Sequence, residues 1–175
     1  MTKDSKKYAQ VALFGSMGGN WRETYIIPVL ESLDISYFHP GLSQTPWTEA
    51  MGVQEVDVLS KAETVVMVVN ALSPAFGSLA EAGWMAVGSV QRNQTFILYI
   101  EPRYHITPPG WYWLIPGMTG RLRVIEDYSN RARFLATEHA RLLASGVSNL
   151  IVVEGIDEIV TVLRQKYSAP RAKTE

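Results

Sequence analysis

Near the middle of the chain, Thr64-Val65-Val66-Met67-Val68-Val69 forms an unbroken and almost wholly β-branched apolar run. Branching at Cβ disfavours a helix and favours a strand. The lack of polar alternation places that strand where both faces of a sheet are covered, as in parallel α/β folds. Runs of similar character occur at residues 11–14, 95–100 and 150–153, and Ser36-Tyr37-Phe38 reads as a further short strand ended by His39-Pro40-Gly41. The intervals between them carry helical spacing. Residues 21–33 place Tyr25, Ile26, Val29, Leu30 and Leu33 on one stripe, interrupted by Pro28. Residues 53–61, 79–90, 129–144 and 156–167 read as further helices, the second of them rich in Ala and Gly. Strands alternating with helices imply right-handed βαβ units, and hence a three-layer α/β domain around a parallel sheet of about five strands.

A chain of 175 residues suits one such domain over 1–175, with 1–9 and 168–175 expected to be loose tails. Apolar residues make up 47% and charged residues 19%, a globular balance, and the net charge of -1 gives no reason to expect nucleic acid or a membrane surface as partner. Cysteine is absent, which excludes disulfides, thiol nucleophiles and thiolate metal sites. His39, His105 and His139 share no ligand spacing, so no metal is expected. The first ten residues hold no apolar signal core and no run approaches bilayer length, so the expectation is a cytoplasmic protein.

Ligands of open parallel sheets bind beyond the carboxyl ends of the strands. Three segments fall there: the turn Gly15-Ser16-Met17-Gly18-Gly19, the loop of residues 70–78, and residues 101–123, whose four prolines, three glycines and Trp111-Tyr112-Trp113 read as a long loop. The aromatic triplet suits a packed loop or an interface between subunits better than a base-stacking platform. The glycine turn matches neither a dinucleotide fingerprint nor a P-loop. It serves either as a tight βα turn or as an anion cradle, with equal support for each. Arg22, one turn into the first helix, suits a solvated face better than an anion ligand. Glu126-Asp127 reads as a helix start. Ser78-Leu79-Ala80-Glu81 fits a capping box, in which Ser78 opens a helix and Glu81 bonds back to it. The same pattern sets a carboxylate in a first helical turn at the sheet edge, where it can meet an anomeric carbon.

Gly77-Ser78-Leu79-Ala80-Glu81-Ala82-Gly83 resembles the catalytic segment of the nucleoside 2-deoxyribosyltransferases. Asp57, followed by Leu59-Ser60-Lys61-Ala62-Glu63 and the central strand, resembles that family's base-contacting segment, and Leu13-Phe14-Gly15-Ser16 its opening strand and turn. The resemblance covers residues 11–100. It implies a flavodoxin-like, doubly wound sheet of order 2-1-3-4-5 and a homo-oligomer. It further implies Glu81 as nucleophile, Asp57 as the residue orienting or protonating the base, and a substrate site built from Gly15, Ser16, Gly18, Gly19, Gly77 and Ser78. The family carries an acidic sugar-binding residue six positions before the glutamate. That position is Ala75 here, with Asn70 and Ser73 as the nearest polar substitutes. The glycine turn and Ser78 also resemble the related 2'-deoxynucleoside 5'-monophosphate N-glycosidases. Cleavage or transfer at the N-glycosidic bond of a nucleoside or nucleotide is therefore expected, with no cofactor. Hydrolysis of a monophosphate and a non-catalytic nucleotide sensor stand as alternatives.

Overall fold

A computed structural model describes residues 8–40, 48–107 and 117–168, so the Trp111-Tyr112-Trp113 segment and most of both expected tails lie outside the described residues. The elements are β1 (Val11–Gly15), a π-helical turn (Arg22–Ile26) running into α1 (Ile27–Ser32), β2 (Tyr37–Phe38), α2 (Glu49–Lys61), β3 (Thr64–Val69), α3 (Phe76–Gln91), β4 (Thr95–Ile100), α4 (Met118–Ala144), β5 (Leu150–Val153) and α5 (Ile156–Ser168). All five strands are parallel in the order β2-β1-β3-β4-β5, the flavodoxin-like doubly wound arrangement. The order reverses between β1 and β3, which makes their carboxyl ends the topological switch point.

Alternate residues of each strand serve the two layers. Ala12, Phe14, Val65, Met67, Val69, Phe96 and Leu98 join the core beneath α2, α3 and α4. Leu13, Val66, Val68 and Ile97 face α1 and α5, whose Leu30, Ile159 and Leu163 close the other side. Every side chain of β3 is fully or almost fully buried, so the strand needs apolar residues at consecutive positions rather than alternate ones.

The helices differ from the sequence expectation in several places, and α2 begins at Glu49, four residues before the expected start at Val53. Pro28 does not break the first helix, because the wider π turn ends just before it and Pro28 sits in the first turn of α1, where a missing N–H costs nothing. The first two turns of α4 mostly face solvent and so carry no apolar stripe, and what reads as loop over residues 118–123 is helix. Glu126 therefore lies inside α4, where its carboxylate accepts from the Ile106 N–H at 3.1 Å and meets His105 Nδ1 at 3.1 Å. α3 begins at Phe76, three residues before the expected start at Leu79. No helix among the described residues is long and apolar enough to cross a membrane.

Candidate active site

A cavity of about 580 Å³ opens at the carboxyl end of β1, between α2 and α3. Phe14, Gly15 and Met17 form its floor, and Pro40 comes from the segment after β2. α2 contributes Met51, Gly52, Glu55, Val56 and Leu59, and α3 contributes Gly77, Ser78, Glu81, Trp84 and Met85. Both sets repeat at intervals of about four residues, so each is one face of its helix. Gly15 is required at the floor. Its φ is +113°, and a Cβ there would lie 2.0 Å from the Val68 carbonyl oxygen of the adjoining strand.

Glu81 lies in this wall, but not through a capping box. The N-cap of α3 is Ala75, in the left-handed region at φ 54°, with no side-chain cap. Ser78 is therefore the third residue of the helix and Glu81 the sixth, one turn further in than the sequence pattern suggests. The loop before α3 is held from outside: Ser129 Oγ donates to the Pro74 carbonyl at 3.0 Å and Arg133 to the Ser73 carbonyl at 2.9 Å. These tertiary bonds override the local capping signal. Glu81 is open to solvent through the cavity mouth, yet the protein around its carboxyl raises its pKa above the ordinary carboxylate value, with a smaller contribution from the negative charge of Glu55.

Asp57 is not brought to the cavity. It is exposed on α2 and paired with Lys61 one turn on. Two residues are about 200° of helical rotation, so the face that carries Asp57 outward carries Glu55 inward. Glu55 is the acid that sequence reading missed. The available signal was its four-residue spacing from Leu59, the buried residue of α2.

Of the other expected site residues, Gly15, Gly77 and Ser78 line the cavity, whereas Ser16, Gly18, Gly19, Asn70 and Ser73 do not. Ser16, Gly18, Gly19 and Asn70 tie the loop after β1 to the end of β3 and the loop after it, and the Ser73 carbonyl accepts from Arg133. Ser16 N–H donates to the Val68 carbonyl at 2.8 Å and its hydroxyl accepts from the Asn70 N–H at 3.2 Å. Asn70 Nδ2 donates to the Gly18 carbonyl, and Leu72 Cδ1 lies 3.2 Å and 3.0 Å from where side chains at Gly18 and Gly19 would begin. The glycines thus make room for Leu72 and Asn70.

Arg22 is neither solvated nor available to an anion. It is 1% exposed, and its guanidinium donates to the carbonyls of Leu13 (3.3 Å), Gly15 (3.2 Å) and Ser16 (3.1 Å). The guanidinium also lies 4.2 Å from the Trp21 ring, whose Nε1 donates to the same Ser16 carbonyl at 2.9 Å. Burial lowers the Arg22 pKa to about 10, which leaves it charged at neutral pH. Arg133, from α4, does the same for the neighbouring loops through the carbonyls of Val69, Asn70, Ser73 and Glu101. Two buried arginines thus fix the loops at the carboxyl edge.

Among the described residues no group of three or more His, Asp or Glu is placed to hold a metal ion. The cavity offers a carboxylate with a raised pKa, a second carboxylate within electrostatic reach, and an apolar, partly aromatic wall. Its chemical capacity is nucleophilic or acid–base work on a compact, largely apolar ligand. Comparison with models of protein families and with curated proteins finds no match for the chain.

Proposed function

We propose that the chain cleaves or transfers the N-glycosidic bond of a nucleoside-like substrate, with Glu81 as nucleophile. The observation that carries this reading is the position of Glu81: a carboxylate of raised pKa in the wall of a cavity of about 580 Å³, at the switch point of a parallel sheet. In its ionised form Glu81 attacks the anomeric carbon and holds the sugar as an ester until water or a second base accepts it. Glu55, on the facing helix, takes over the role at the base that the sequence resemblance implied for Asp57. Trp84 and the methionines of the wall give the base an apolar surface.

An unphosphorylated substrate fits better than a 5'-monophosphate. Among the described residues no lysine or arginine lines the cavity, and the arginine that follows the glycine turn is committed to backbone carbonyls. The test is incubation with a panel of nucleosides and their 5'-monophosphates, with free base measured by chromatography in the presence and absence of a second base. Release of base from nucleosides is the expected result. Binding without release from any member would replace this reading with that of a nucleotide sensor.

A further inference from the structure

α4 spans 27 residues and turns one side to the core, where Ser129, Arg133 and Ala140 are buried. Its outer side carries a repeat of its own. Val124, Tyr128, Arg131, Leu135, Glu138 and Leu142 follow one another at intervals of four, three, four, three and four residues. That alternation sets all six on one line along the helix, about 27 Å from end to end. The four apolar members are exposed, Tyr128 at 65% and Leu142 at 71%, and Phe134, beside the line, is 64% exposed. Single exposed apolar side chains are ordinary, whereas a line of them with the coiled-coil period is a seam that pairs with another helix.

The charges on the seam identify that helix. A second copy of α4 running parallel would set Arg131 against Arg131 and Glu138 against Glu138, like charge on like. An antiparallel copy, related by a two-fold axis passing near residue 133, matches instead. Leu142 then lies across from Val124 of the partner subunit, Leu135 from the partner's Arg131, and Tyr128 from the partner's Glu138, to which its hydroxyl can donate. Arg131 is within a turn of the partner's Glu138 as well. Beside the seam, Asp127 faces the partner's Arg141, and Phe134 faces the partner's Phe134 on the axis. Arg141 is already directed along this surface by Glu138 at 2.9 Å and Glu154 at 3.1 Å.

We infer that two copies of this chain associate through α4, antiparallel and centred on Phe134. The inference is independent of the N-glycosidic reading. Two helices meeting over this length cover less than the area of a standard interface, about 1,600 Å², so the pair is expected to be reversible in the micromolar range. Below that range the chain is a monomer whose own core is complete.

The test is sedimentation equilibrium of the full chain from submicromolar to high-micromolar concentration. The mean mass should rise from that of one chain towards that of two. Leu135→Arg places a cation beside the partner's Arg131. It should raise the dissociation constant at least about tenfold while the circular dichroism stays that of the parent. The chain has no cysteine, so a single introduced thiol reports position. Phe134→Cys, treated with a short bis-maleimide at high-micromolar concentration, should give a covalent dimer, and Gln165→Cys, exposed on α5, should not. This arm carries the inference if Leu135→Arg fails to fold. A single-chain mass at every concentration overturns it, whether another segment or another protein then covers the seam. So does a dimer indifferent to Leu135→Arg, or cross-linking at position 165 equal to that at 134.

Discussion

Arg133→Met removes one of the two guanidinium groups that hold the loops of the carboxyl edge, and its cost follows from the bonds lost. Methionine fills most of the buried aliphatic volume, so the loss is chiefly polar. The guanidinium donates to Glu101 O at 2.9 Å, Asn70 O at 2.8 Å, Ser73 O at 2.9 Å and Val69 O at 3.3 Å. Val69 O keeps the Glu101 N–H at 2.8 Å, which leaves the carbonyls of Asn70, Ser73 and Glu101 without this donor. The Asn70 carbonyl is buried, and a stranded buried acceptor costs about 1–3 kcal/mol, whereas Ser73 is exposed and Glu101 half-buried, so their carbonyls can turn to water at smaller cost. Relief from burying a charge, the effect that lowers the Arg133 pKa, offsets part of the sum. The expected net loss is about 2–3 kcal/mol, a sizeable share of a typical total of about 5–15 kcal/mol. Urea unfolding followed by circular dichroism measures it, with an unchanged slope showing that only stability moved. Arg131→Met, exposed on the same helix, is the control and should stay within about 0.5 kcal/mol of the parent. A loss below about 1 kcal/mol for Arg133→Met would refute the clamp.

Gly15→Ala should abolish soluble folded protein, because its Cβ would overlap the Val68 carbonyl, whereas Gly77→Ala, with no atom within 4 Å of the added carbon, should express and melt like the parent. Ser78→Ala should cost under about 0.5 kcal/mol by the same urea assay; a loss of about 1 kcal/mol or more, typical of a deleted N-cap, would restore the capping box. The raised Glu81 pKa means that ionised Glu81 is disfavoured in the folded state, so stability falls as pH rises from the unfolded carboxylate pKa through the folded one. Glu81→Gln should therefore be no less stable than the parent at pH 7, with its relative advantage fading at acid pH. In the parent, the acid limb of any pH–rate profile should be displaced upward from the ordinary glutamate value. Glu55→Gln should move it lower, since it removes the like charge; a limb that stays in place would show that Glu55 does not act on Glu81.

The strands were legible because their burial on both faces demands apolar and β-branched residues that no helix or loop requires. The bounds of β3, β4 and β5 match the sequence expectation, and β1 extends it only by Gly15. The start of α3 was not legible: it is set by Ser129 and Arg133, some 55 to 60 residues away, acting on Pro74 and Ser73. The first turns of α4 were hidden for the opposite reason, since a helix that faces solvent leaves no apolar period to read. Arginines 22 and 133 are buried against the default for charged residues, and only the folded backbone shows the carbonyls they satisfy. At the site, Glu81 was found through its motif. Asp57 was chosen over Glu55 because a motif gives no helical phase, which the buried Leu59 supplies.

The central claim, that Glu81 forms a bond to the sugar, is tested most directly by mass. The chain is incubated with a 2-deoxy-2-fluoro N-glycoside, whose fluorine slows hydrolysis of the glycosyl ester, and the intact protein and its peptides are weighed. One sugar adduct on the peptide carrying Glu81, assigned to that residue by fragmentation and absent from a folded Glu81→Gln variant that releases no base, is the result expected. An adduct on another residue, or full base release by Glu81→Gln, would contradict it.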